Sequence, residues 1–349
     1  MRKREFEVKA LKVKKWIPFS CVGIGIILGV IRSIQFDVGY EAETQLPVPG
    51  NPLLWTIVGI FVVFAVVIAL SASKMKPREY LDFVQCFRCV NIKYKTIGVI
   101  CGVLLLAAGA VGVYLYIQQV NALRMKYAGV ITVGASTGMQ TIPNSMFWIL
   151  TFVVGVSIIA ILTMQSKIIV ETKTGIWLVF PMLWCGFMLI SCYLDYSGIP
   201  ARSIYIFLAF ACLFMMLAYR DFAAFLYAEK VPVARFLVTS SCAIVLAMME
   251  VIGRGWNFFM QGNTMSLTPV SAIKIGILAI GCLFLLCNQV VLLSNLEYQG
   301  GLKPVVTQVP EEAPKEEPLE KETEASETAE EIMKEFKKEE SAEENQTKE

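Results

Sequence analysis

In VLAMMEVIGRGW, Val245 to Trp256, a carboxylate and a guanidinium stand four residues apart in an otherwise apolar run. On a helix, residues four apart share a face, so Glu250 and Arg254 can pair. On insertion scales a carboxylate in the outer third of the bilayer core, where Glu250 falls, costs about 2–3 kcal/mol. A sequence that carries Glu250 there needs a reason, either a partner or a ligand. Five more charged residues fall near the same level. Arg32 lies roughly 24 Å along its own run, and Glu250 and Arg254 roughly 21 and 27 Å along theirs, at 1.5 Å per residue. Asp37, Asp195, Arg202 and Lys274 sit at neighbouring run ends. Three acids and four bases therefore gather near one face, while the polar residues of the opposite half are the neutral Gln165, Asn288 and Gln289. Such a mixed-charge layer suits a polar or zwitterionic small ligand held in an outward-facing vestibule. The plainer reading is interfacial side chains that snorkel and pair.

Other chemistry is thinly represented. The chain has no histidine, which removes His general bases, Ser-His and Cys-His nucleophile pairs and the commonest metal ligand. Cys86 and Cys89 form CFRC, but no second pair lies near enough to complete a four-ligand zinc site. They read as helix-face thiols. GASTG at 134–138 lacks the Lys-Ser or Lys-Thr of a phosphate loop. No catalytic, metal or cofactor site is expected, no nucleic-acid partner and no enzymatic activity.

The elements that must position these charges are apolar. Hydrophobic residues make up 56% of the 349 and charged residues 17%, against about 25% charged in soluble domains. Eight runs have the length needed to cross a bilayer core: 16–36, 53–73, 96–117, 147–166, 175–194, 202–220, 236–253 and 271–293. The fold class is all-α, a polytopic membrane helix bundle with a basic leader at 1–15 and a spanning domain over 16–293. Alternate loops hold eighteen Lys and Arg against three in the opposite set. The positive-inside rule then sets both termini in the cytoplasm. Pro-containing outer loops and two similar inner loops, 77–87 and 219–230, suggest two parallel four-helix halves.

Smaller features fill in the plan. Tyr80, Phe83, Val84, Phe87 and Val90 share a face, flanked by Arg78 and Arg88, so 77–90 is expected as a helix lying in the headgroup boundary. The middle of 118–146 is β-branched and then Gly-rich, and is expected as a hairpin or lid. Gly25-x-x-x-Gly29 and Gly98-x-x-x-Gly102 call for close helix neighbours. Residues 1–304 carry 25 bases against 13 acids, whereas 305–349 carry 6 Lys against 16 Glu. The stretch 294–349 is therefore expected as a disordered, acidic cytoplasmic tail.

Two functions follow as expectations. One is a small polar-solute permease or ligand-binding membrane protein using the vestibule. The other is a non-enzymatic scaffold or regulatory subunit whose acidic tail docks a cytoplasmic protein. The compact loops suggest a bacterial plasma membrane.

Overall fold

The computed structural model describes residues 14–41, 46–75, 83–89, 91–126, 134–167, 172–196, 205–227, 232–261 and 269–299. Nine α-helices occur among them: α1 (Trp16–Val38), α2 (Leu53–Ser73), α3 (Phe83–Phe87), α4 (Ile92–Lys126), α5 (Gly134–Ser166), α6 (Ile176–Tyr196), α7 (Ile206–Tyr227), α8 (Val233–Gln261) and α9 (Pro269–Gln299). All but α3 contain a stretch long and apolar enough to cross a membrane. The chain is a multi-pass membrane protein, as the eight charge-poor runs require.

Helix starts follow local chemistry. Asn51 Oδ1 accepts from the Leu53 amide at 2.9 Å, and Asn91 Oδ1 from the Lys93 amide at 3.0 Å. Each side chain satisfies one of the amides that a helix start leaves open. Asn51 also donates from Nδ2 to the Val38 carbonyl at 3.1 Å, tying the start of α2 to the end of α1.

Helices α4 to α9 close into a ring, with each packed on the next and α9 packed on both α8 and α4. Its centre is filled. Trp184 of α6 donates to Thr151 Oγ1 at 3.0 Å, and Tyr219 of α7 donates to the Gly281 carbonyl of α9 at 3.1 Å. Helices α1 and α2 lie outside the ring against α8. The spanning stretch of α8 is 78% buried and that of α2 is 17% buried, so α8 is the central helix and α2 the peripheral one.

Glycines line two close seams. On α1, a Cβ at Gly25 would stand 2.9 Å from Met248 Cβ, and one at Gly29 2.7 Å from Ile252 Cβ. Both sequence numbers rise together, so α1 and α8 run parallel. On α4, Gly98, Gly102, Gly109 and Gly112 face Leu162, Ile159, Phe152 and Trp148 of α5. That pairing is antiparallel. Both glycine pairs read from the sequence thus face a neighbouring helix, where the missing side chains allow close approach.

Two local expectations differ from what is found. Helix α4 continues to Lys126 and α5 begins at Gly134, so no hairpin occupies the described part of 118–146. Both helices run past the expected span ends, α4 to Lys126 and α5 from Gly134. In the stretch 77–90, only 83–89 is described, and there Phe83, Cys86 and Phe87 are buried. Phe87 meets Phe222, Phe225 and Phe236 edge to face at 4.6, 4.8 and 5.7 Å. Asn295 of α9 donates to the carbonyls of Cys86 and Arg88 at 2.9 and 3.0 Å. The aromatic face of this segment is turned onto protein, because α7, α8 and α9 offer it an aromatic pocket and a hydrogen-bond donor.

Candidate functional site

Glu250 sits on α8 where α1 crosses it, and partners from both helices reach it. Gly29 and Gly253 let the two backbones approach: a Cβ at Gly253 would stand 2.7 Å from Arg32 Cγ and 3.4 Å from the Gly29 carbonyl oxygen. Arg32 then passes over Gly253 and donates from Nε to Glu250 Oε1 at 3.1 Å. One helical turn along α8, Arg254 donates from Nε to Glu250 Oε2 at 2.6 Å. All three side chains have no solvent exposure. Each carboxylate oxygen is thereby matched to a guanidinium, the condition under which a buried carboxylate is tolerated.

Further groups hold the guanidinia in place. Arg32 Nη1 donates to Gln35 Oε1 at 2.6 Å and to Tyr40 Oη at 3.3 Å. Tyr40 comes from the connection after α1, where the Val48 amide donates to the Gly39 carbonyl at 3.0 Å and the Glu41 amide to that of Leu46 at 3.0 Å. The Arg32 guanidinium lies 4.3 Å from the Phe36 ring centre and 5.0 Å from that of Phe207. Arg254 lies 4.8 Å from the Tyr205 ring and 5.3 Å from Phe36. Desolvated guanidinium–ring contacts add up to about 2 kcal/mol each. The result is a compact Arg–Glu–Arg cluster in an aromatic cage, drawn from α1, the α1–α2 connection, the start of α7 and α8.

The remaining layer residues go elsewhere. Lys274 of α9 is buried in a second cluster, donating to Ser191 Oγ of α6 at 2.7 Å and Asn144 Oδ1 of α5 at 3.2 Å. Ser191 in turn donates to Asn144 Oδ1. Asp37 is exposed at the end of α1. The Asp195 side chain and Arg202 lie outside the described residues. So of seven residues read from one layer, the structure brings three together at Glu250 and sends Lys274 to another helix junction.

Sequence reasoning missed the cage. Phe36, Tyr40, Tyr205 and Phe207 had no spacing that joined them to Glu250, since they converge from three separate segments. It also missed a second carboxylate cluster. Asp221 of α7 is fully buried, and Arg235 of α8 donates to its Oδ1 from Nε at 2.7 Å. Arg220 approaches the same oxygen at 3.0 Å, and Thr239 of α8 donates to Oδ2 at 3.1 Å. The signal was present in YRDF, but adjacent opposite charges read as a loop. In fact α7 runs on to Tyr227.

The cysteines are structural in character. All ten are buried and none forms a disulfide. Burial pushes the Cys89 thiol above its ordinary range, with nearby Lys95 partly opposing this. That is the reverse of what a reactive thiolate needs. Among the described residues, no group of three or more His, Cys, Asp or Glu side chains could hold a metal ion. No family model matches this chain, and neither a curated protein nor a solved structure matches it.

Proposed function

We propose that this chain is a small polar-solute permease or ligand-binding protein of the plasma membrane, acting without covalent chemistry. Its polar site is Arg32–Glu250–Arg254, and α1 parting from α8 opens it. One observation carries the reading: three ionised groups with no exposure sit on the seam between the central helix and a helix that lies outside the ring. A bundle needing only stability gains nothing from this arrangement, since well-packed apolar residues are often as good or better. A seam that must open to water does gain, because its charges are solvated as it opens.

The burial pattern also supports a cytoplasmic N terminus for the bundle. Lys15, Lys74, Arg88, Lys93, Lys167 and Lys173 are exposed at the end where α1 begins, whereas Arg32, Arg254 and Lys274 at the other end are buried. Asp37 and Glu41 are the exposed charges beside Arg32. This end is the proposed outer face. The four-and-four repeat has weaker support, because α5 packs on α6 and α4 on α9 across the proposed division.

The test is Glu250→Cys labelled in intact cells with a membrane-impermeant maleimide. The ten native cysteines are buried, so the background is low. Labelling is the expected result. Its absence in a folded, inserted protein would make the cluster a packed tie and remove the permease reading.

A further inference from the structure

We propose that the Asp221 cluster is the second closure of the same carrier, so that α8 is a beam clamped at both ends and opens at only one end at a time. This rests on the permease reading above and adds the inner gate to it.

Three observations point there. First, the two clamps match in construction. Each is a fully buried carboxylate held by two arginines, and in each one arginine belongs to α8: Arg254 with Glu250, and Arg235 with Asp221. Second, they lie on one stripe of α8. Arg235, Thr239, Ala243, Leu246, Glu250 and Arg254 follow steps of three and four residues, which is one helix face. Arg235 and Glu250 stand about 22 Å apart along the axis at 1.5 Å per residue, most of the hydrocarbon thickness of a bilayer. Third, α8 is unbroken from Val233 to Gln261 and contains no proline. Its Ser240–Ser241 pair is a site of the kind where helices can kink, but the helix runs through it unbroken, so a tilt at one end is transmitted to the other.

The partners differ in a way that fits a gate at each end. The Glu250 clamp joins α8 to α1, and the Asp221 clamp joins α8 to α7. Phe87, Phe222, Phe225 and Phe236 pack together beside the Asp221 clamp and thicken the seal. Arg220 and Arg235 are 48% and 55% exposed, whereas Arg32 and Arg254 are not exposed at all. The rim of the Asp221 clamp is thus at the surface of the bundle. When α8 leaves α1 at the outer end, its inner end is pressed onto α7. When it leaves α7, its outer end is pressed onto α1.

The test uses two buried reporters, Ser33→Cys near the outer clamp and Ser240→Cys one residue deeper than Thr239. Their maleimide reaction rates are compared in membrane vesicles of each orientation. Asp221→Asn is expected to raise Ser240→Cys labelling and lower Ser33→Cys labelling, each by at least about fivefold, the low end of coupling between linked sites. Glu250→Gln is expected to do the opposite. Should either variant fail to fold, Arg235→Gln and Gly253→Ala weaken the same clamps more gently. If both rates rise together, or Ser33→Cys ignores Asp221→Asn while still being labelled, the coupling is refuted and the permease reading stands. If Ser33→Cys is never labelled, even with Glu250→Gln, the permease reading fails and the two-gate proposal with it.

Discussion

Replacing Glu250 with Gln leaves two guanidinia buried around a neutral amide, and the loss can be sized. At an effective dielectric constant near 20, unit charges 4 Å apart attract by about 4 kcal/mol. Glu250 makes two such pairs, at 3.1 and 2.6 Å. The two guanidinia repel one another, and an amide oxygen still accepts one hydrogen bond. The net loss is therefore well below the gross sum, about 3–5 kcal/mol, the range for breaking a buried ion pair from one side. The companion variant is Arg32→Met with Glu250→Leu and Arg254→Met, which removes every charge at once. Apolar replacement of a whole buried cluster is neutral or stabilising, so this triple variant is expected within about 1 kcal/mol of the parent or above it. Reversible unfolding in mixed micelles, followed by helix circular dichroism, reads both. A triple variant as unstable as Glu250→Gln would show that the cluster is needed to pack α1 on α8. That would refute the argument that its charges serve opening and not stability.

Gly253→Ala is expected to destabilise by about 1–3 kcal/mol, the range for overpacking, because its Cβ would stand 2.7 Å from Arg32 Cγ. Gly255→Ala, with nothing within 4 Å, is its near-neutral control in the same unfolding assay. Asn295→Ala removes both donations to the Cys86 and Arg88 carbonyls. It should cost about 1–3 kcal/mol and raise amide hydrogen exchange over 83–89 selectively. Cys89 should alkylate more slowly than a small-molecule thiol near neutral pH, with the rate rising as pH passes the ordinary thiol range. Lys95→Gln should slow it further by removing the cation that favours the thiolate, and a faster rate would reverse the assignment.

The fold was legible where one physical signal dominates. Bilayer length and missing charge located all eight spans, and Leu53–Ser73 falls on the expected residues. The sequence view failed where a charge is paired from a neighbouring helix. Arg220 and Asp221 looked like a loop and are in fact the continuation of α7, where Arg235 of α8 neutralises Asp221 and Thr239 donates a hydrogen bond to it. It also failed where a hydrophobic face had two possible solvents. The aromatics of 83–87 suit lipid or protein equally, and only the cluster with Phe222, Phe225 and Phe236 decides. Glu250 and Arg254 were joined by i,i+4 spacing alone. Arg32 was suspected from depth, but its partnership depends on Gly29 and Gly253 meeting across 224 positions of sequence, which no local pattern encodes.

The most direct test of the central claim is the distance between α1 and α8 at the Glu250 clamp. Nitroxides at Val38→Cys and Trp256→Cys, both exposed positions, report it by pulsed electron paramagnetic resonance in lipid nanodiscs. The account predicts two distance populations, one matching this closed structure and a longer one that grows with Glu250→Gln. A single narrow distance, unchanged by Glu250→Gln in a folded protein, would contradict it.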